Sequence, residues 1–187
     1  MTAVLAQNLT LEEFLKQPDL EQSPVWEYVE GRAIQKNIPE FRHSILQKQL
    51  LKKIDDPNGK YLTLPELRCT FGGRSIVPDI VVISWDKVQL NPFGEPEDNF
   101  TQPPDWSIEI LSPDQNTNRV IDNILHCLQH GSQLGWLLDP DDYSILALPP
   151  QQTIKIFRGT QQLPVLPNIN LKLTAQKVFS WLKLNKT

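Results

Sequence analysis

The chain has 187 residues, 40% of them hydrophobic and 21% charged, with a formal net charge of −4 and a pI of about 5.4. These are ordinary globular proportions, which exclude wholesale disorder, and the length suits a single domain over residues 1–187. The acidic balance excludes a protein that coats nucleic acid through bulk charge, since such domains are basic. A cleft with a local basic lining is left open, because the field there depends on distribution and not on the total.

The longest apolar runs, "IVVI" and "WLL", are far too short to cross a bilayer. The start, "MTAVLAQNLTLEEF", lacks the basic n-region and long apolar h-region of a secretory signal. Cys69 and Cys127 lie far apart with no metal-binding spacing and read as free thiols of a reducing compartment. A cytoplasmic protein without a membrane partner is the expectation.

In chain order, "NLTLEEFLKQ" places Thr10 at an N-cap and Glu13 three residues on, a capping box that opens a short helix. "WEYVEGRAIQKN" alternates around Glu30-Gly31 and predicts a hairpin. "EFRHSILQKQLLKKI" sets Ile45, Leu46, Gln49, Leu50 and Ile54 on one helical stripe, leaving Lys48, Lys52 and Lys53 on a solvated face. "YLTLPELRCTF" and "SIVPDIVVIS" read as two strands joined at "GGR". The Pro-rich, acidic "WDKVQLNPFGEPEDNFTQPP" is a long excursion of the kind that often forms a lid or binding loop. "DWSIEILS" is the next strand, and "NTNRVIDNILHCLQHG" is a helix with Val120, Ile121, Ile124, Leu125 and Leu128 inward and Gly131 just past its end. "QLGWLLDP" and "YSILAL" pair across "DPDD", "TIKIFRG" adds a strand, and "LTAQKVFSWL" is a terminal helix capped by Thr174. The order predicts an α/β fold with a mixed, curved sheet flanked by helices.

Two carboxylates stand in apolar strands: Asp79 opens "DIVVIS" and Glu109 sits inside "WSIEILS". If the two strands are antiparallel neighbours with Ser84 opposite Trp106, Asp79 faces Leu111 and shares a sheet face with Glu109, two positions away. Diagonal neighbours of this kind lie about 7–8 Å apart, within reach of one ion. Converging buried carboxylates repel unless a cation sits with them, and an oxygen-rich site suits Mg²⁺ or Mn²⁺. The alternative is that Asp79 caps a strand start and Glu109 forms a structural ion pair with an arginine such as Arg68 or Arg74. Spacing leaves both readings open.

"VPDIVVIS", "WSIEILSPDQN", the following amphipathic helix and "GWLLDPDD", preceded by "WEYVEGRAIQ" and "EFRHSILQKQL", resemble the bacterial putative restriction endonuclease family of the PD-(D/E)xK nuclease superfamily. The resemblance runs in motif order from Thr10 to Leu148. It implies a restriction-endonuclease-like fold and DNA as substrate, and it permits a homodimer, since cutting both strands of a duplex is simplest with two sites. It further implies Asp79 and Glu109 as metal ligands with the Ile110 carbonyl as a third. Glu27 and His43 match positions of the family's N-terminal half, where Glu27 is either an outer metal ligand or an exposed hairpin carboxylate. His43 is either a phosphate contact or acid, or a helix-start residue without chemical consequence.

The superfamily lysine, two residues after the glutamate, is Leu111 here. In the following helix, where the family often carries a lysine instead, the chain has Asp122 and Asn123, with Arg119 the nearby cation. Arginine stays protonated and can hold a phosphate, but it accepts protons poorly. Lys36 or Lys60 would have to arrive from elsewhere. On the same helix, Asp122, His126 and His130 recur every four residues, a spacing that zinc can use but that reads as a solvated polar face. Two functions follow as expectations. One is a metal-dependent endonuclease using Asp79, Glu109 and Arg119; the other is a non-catalytic binding or assembly module on the same fold.

Overall fold

The computed structural model describes residues 4–7, 9–56, 59–113 and 115–184. In chain order it contains β1 (Val4–Gln7), α1 (Leu11–Leu15), β2 (Trp26–Val29), β3 (Arg32–Gln35), α2 (Phe41–Ile54), β4 (Tyr61–Pro65), β5 (Cys69–Phe71) and β6 (Arg74–Ile76). There follow β7 (Ile80–Ser84), β8 (Trp106–Ile110), α3 (Thr117–Gln129), β9 (Leu134–Asp139), β10 (Ser144–Leu148), β11 (Lys155–Phe157) and α4 (Ala175–Ser180). The fold is the expected mixed α/β arrangement, with its strands divided over two sheets. A smaller sheet has the order β1-β3-β2-β6-β5 and a larger one β11-β10-β9-β8-β7-β4. Among the described residues no helix is long and apolar enough to cross a membrane.

Local signals worked as their chemistry predicts. Thr10 and Glu13 close a reciprocal capping box at α1, and Glu30 and Gly31 both take positive φ, as a two-residue turn between right-twisted strands requires. Thr174 caps α4 through the Lys177 amide. The two runs "YLTLPELRCTF" and "SIVPDIVVIS" are four strands, not two. β4 ends at Pro65, the chain turns through Glu66 at φ +49°, and β5 leaves for the smaller sheet. β6 returns in that sheet and stops short of Val77-Pro78, after which β7 rejoins the larger one. Proline lacks the N–H that a continuous strand needs in its ladder, so each run breaks at its proline.

The larger sheet is apolar on both faces. Ile80, Val82, Trp106, Ile108, Ile110, Trp136 and Leu138 pack with Leu46, Leu50 and Ile54 of α2 and with Val178 and Phe179 of α4. The alternate residues of β7, Val81 and Ile83, pack against Cys69, Phe71 and Ile76 of the smaller sheet and Cys127 of α3. Val120 and Ile124 of α3 cover Leu137 and Leu148. Strand β8 pairs antiparallel with β7 and parallel with β9, so α3 serves as the crossover that a parallel pair needs. Gly135 permits its close approach: a Cβ there would lie 2.2 Å from Ile124 Cγ2.

On α3 the polar face is solvated only in part: Asp122 is half-exposed and His130 exposed, but His126 is not. His126 is buried and its Nε2 lies 3.1 Å from the Phe71 carbonyl oxygen, while Asp122 pairs with Arg74 at 2.7 Å. The smaller sheet lies over part of this face and supplies those partners. The Pro-rich loop borders an apolar cavity of about 160 Å³ with Leu62, Leu64 and Ile83, and none of the candidate site residues lines it.

Candidate active site

Strand period fixes which side chains can meet. β7 and β8 pair Ile80 with Ile108 and Val82 with Trp106. Continued by one residue, that register sets Asp79 directly opposite Glu109, where the sequence reading had Ser84 opposite Trp106 and Asp79 opposite Leu111. The difference is two residues, so the shared face survives. Its cause lies at the far end. There the Ser84 amide donates to Asp105 Oδ2 at 2.7 Å, so on its β8 side Ser84 meets a side chain instead of the ladder, while it stays opposite Tyr61 of β4. Continued by two residues, the register sets Pro78 opposite Ile110, and Pro78 has no N–H to give the Ile110 carbonyl.

The smaller sheet faces this pair. Glu27 lies opposite Ile34 in the β2–β3 hairpin, and the ladder runs on through the Lys36 amide to the Val25 carbonyl at 2.9 Å. By the two-residue period Lys36 shares the face of Ile34 and Glu27. The result is a cluster at the seam of the two sheets, with Glu27, Asp79 and Glu109 exposed by 1%, 5% and 3%. Lys36 Nζ donates to Asp79 Oδ1 at 2.8 Å and to the Val77 carbonyl at 2.6 Å, and lies 3.5 Å from Glu109 Oε2.

The other oxygen, Asp79 Oδ2, accepts from the Ile110 amide at 2.7 Å and meets His43 Nε2 at 3.0 Å. His43 reaches it from the first turn of α2. Glu27 Oε1 accepts from the Val77 amide at 2.9 Å, and its Oε2 accepts from Asn123 Nδ2 at 3.3 Å. Arg119 NH2 lies 3.8 Å from the same Oε2. Arg119 is set there by Asn116, whose side chain caps α3 by accepting from the Arg119 amide. Glu27 is thus no exposed hairpin carboxylate, and His43 is buried against Asp79.

The electrostatics divide the carboxylates. Burial alone would raise Asp79, but the Lys36 ammonium and the His43 donor hold its carboxyl well below the usual range. Burial pushes Glu109 well above the usual range, with the Asp79 and Glu27 charges adding to the rise and Lys36 opposing it. Burial likewise works against the Lys36 ammonium, yet Asp79, Glu109 and Glu27 outweigh it and keep the amine charged. Asp79 is therefore the more acidic partner, and Glu109 holds its proton to higher pH. Arg68 and Arg74, the sequence candidates for Glu109, bind Glu21 and the pair Asp122 and Glu30 instead. Cys69 and Cys127 are free and buried, and burial pushes the Cys127 thiol up to about 12, which leaves it inert at neutral pH.

A cavity of about 110 Å³, lined in part by Lys36, His43, Glu66 and Asp79, leads to the cluster. His43 Nδ1 and Asn123 Oδ1 are buried without a protein partner. Among the described residues, no group of three or more His, Cys, Asp or Glu side chains is arranged to hold a metal ion. The oxygen donors fit a hard divalent cation all the same: two opposed carboxylates and a backbone carbonyl facing a proline. Lys36 Nζ lies beside both carboxylates, nearer to Asp79.

The sequence brought Asp79, Glu109, Ile110, Glu27, His43, Asn123 and Arg119 forward as candidates, and the fold gathers them around one seam. For Ile110, the contact formed with Asp79 is through the amide. Lys36 was only one of two lysines that could arrive from elsewhere. Lys60, the other, is exposed. The signal that singles out Lys36 is its strand parity with Glu27.

The family model Uma2, described as "Putative restriction endonuclease", matches residues 11–176. No curated protein matches the chain. Among solved structures, the crystal structure of a "putative nuclease belonging to DUF820" from Anabaena variabilis is similar at 43% sequence identity and a TM-score of 0.90, covering 94% of this chain and 99% of that one. By the extent of the family match, and with the same fold in a relative of this identity, the chain belongs to the Uma2 family, "Putative restriction endonuclease".

Proposed function

We propose that the protein is a metal-dependent DNA endonuclease that hydrolyses phosphodiester bonds at the seam between its two sheets. The observation that carries this reading is the direct opposition of buried Asp79 and Glu109 beside the Ile110 carbonyl, oxygen donors of the kind a hard divalent ion takes. Asp79, Glu109 and the Ile110 carbonyl would hold Mg²⁺ or Mn²⁺. When bound, such an ion supplies positive charge where phosphoryl transfer builds negative charge.

The chain's own groups divide the remaining work. Asp79 is aimed by the Ile110 amide and by His43. Glu27 holds the Val77 amide at the strand break and so sets the backbone from which Asp79 projects. Arg119, with a fifth of its side chain exposed, would bind a phosphate of the substrate backbone, a role suited to a permanently charged planar fork. Lys36 and Arg119 provide positive charge at the seam despite the acidic total. In the reaction a water oxygen bonds to phosphorus, the bond from phosphorus to the sugar oxygen breaks, the water's proton passes to solvent or a neighbouring base, and the leaving sugar oxygen takes a proton from solvent to become a hydroxyl. Two copies of the chain would cut both strands of a duplex.

The test is supercoiled plasmid incubated with Mg²⁺ or Mn²⁺. Wild-type protein is expected to nick or linearise it, and Asp79→Ala to leave it intact. Absence of cleavage by the wild type in every metal and at every salt concentration overturns the assignment.

A second reading has one observation in its favour: Lys36 already neutralises the pair, and neither Leu111 nor α3 supplies the motif lysine. On that reading the chain is a non-catalytic binding or assembly module on the nuclease fold. It predicts no thermal stabilisation by Mn²⁺, whereas an occupied site raises the melting temperature by mass action.

A further inference from the structure

The cation in this cluster comes from a strand end. Lys36 Nζ bonds the Val77 carbonyl and Asp79 Oδ1 and faces Glu109 Oε2, at 2.6, 2.8 and 3.5 Å. Two of these three oxygens belong to the carboxylates that a shared ion needs. A divalent ion such as Mg²⁺ binds its oxygens at about 2.0–2.1 Å, so it and the ammonium would compete for the same lone pairs while repelling one another. The two cannot occupy the seat together. The ammonium rides on a flexible four-carbon stem and borders the cavity of about 110 Å³ that also touches His43 and Asp79, which gives it somewhere to go.

We propose that Lys36 is an exchangeable internal cation: it holds the seat between Asp79 and Glu109 in the metal-free protein and withdraws into the adjoining cavity when a divalent ion enters. From there it contacts the substrate phosphate in place of the lysine that Leu111 does not provide. This rests on the reading that Asp79 and Glu109 take a divalent ion. The exchange makes metal affinity and turnover respond to this one residue in opposite directions.

The test is isothermal titration of the full chain with MnCl₂, comparing wild type, Lys36→Met and Asp79→Asn, followed by plasmid cleavage at saturating Mn²⁺. Lys36→Met is expected to bind Mn²⁺ about tenfold more tightly or better, because the competent, open seat is no longer a minor state, and yet to lose cleavage. Asp79→Asn is expected to lose binding. Wild-type or weaker affinity in Lys36→Met, with the wild type itself binding, overturns the exchange; so does wild-type cleavage by that variant. Failure of both wild type and Lys36→Met to take up Mn²⁺ removes the metal reading and the exchange with it.

A measurement on the wild type alone guards against a variant that does not fold. Acetic anhydride labelling read by mass spectrometry is expected to spare Lys36 without metal and to acylate it with saturating MgCl₂. Unchanged Lys36 labelling across a Mg²⁺ titration that raises the melting temperature overturns the proposal.

Discussion

Lys36 and Asp79 join the two sheets through one buried ion pair, Nζ to Oδ1 at 2.8 Å. Lys36 follows β3 in the smaller sheet and Asp79 precedes β7 in the larger. Removing the cation leaves the buried Asp79 carboxylate without its counter-charge, so Lys36→Ala should destabilise the metal-free protein by about 3–5 kcal/mol, the usual cost of breaking a buried pair from one side. Urea unfolding measures it. Added Mn²⁺ should restore part of the loss, and a variant as stable as the wild type without metal would show that the pair is not coupled to the fold.

The opposite displacements of Asp79 and Glu109 predict a characteristic pH response. Asp79 is depressed in the fold, so its contribution is fully present above the unfolded aspartate value of about 3.9 and is lost as pH falls below it toward the folded value. Glu109 is raised, so the folded chain keeps a proton that the unfolded chain releases above about 4.3; stability therefore falls with rising pH from there until Glu109 ionises in the fold. Glu109→Gln should remove that decline. Urea midpoints of wild type and variant in metal-free buffer should diverge as pH rises above about 4.3, and parallel curves would contradict the assignment.

Glu27 is a structural acceptor as well as a neighbour of the site. Its truncation orphans the Val77 amide and Asn123 Nδ2, so Glu27→Ala should cost about 1–3 kcal/mol in urea unfolding for the abandoned buried donors. Because Val77 carries the backbone toward Asp79, the same variant should weaken Mn²⁺ binding. A stability loss with unchanged Mn²⁺ affinity would confine Glu27 to the fold.

Arg119 is assigned to substrate phosphate, which gives it a salt signature. Arg119→Ala should weaken DNA binding across sequences and reduce the slope of log affinity against log salt by about one contact's worth, roughly 0.9 for duplex DNA. An unchanged slope would place the phosphate contact elsewhere.

The α/β class, the hairpin at Glu30-Gly31, the capped helices and the carboxylate pair were legible in the sequence because each depends on local chemistry or on a period of two or 3.6. What escaped depends on partners remote in sequence. The register of Asp79 against Glu109 was two residues off because Asp105 takes the Ser84 amide, a choice invisible in an alternating pattern. His126 looked like a surface residue until the Phe71 carbonyl came to meet it. Lys36 lies 43 residues from Asp79 and only the packing of one sheet on the other brings them together, although its parity with Glu27 was readable.

The central claim is that Asp79 and Glu109 share one divalent ion. The most direct measurement is an anomalous difference map from crystals grown or soaked in Mn²⁺. A peak bound by both carboxylates and the Ile110 carbonyl, with Lys36 displaced from Asp79, is the predicted result. No peak, with Lys36 still bonded to Asp79 at saturating Mn²⁺, would contradict it.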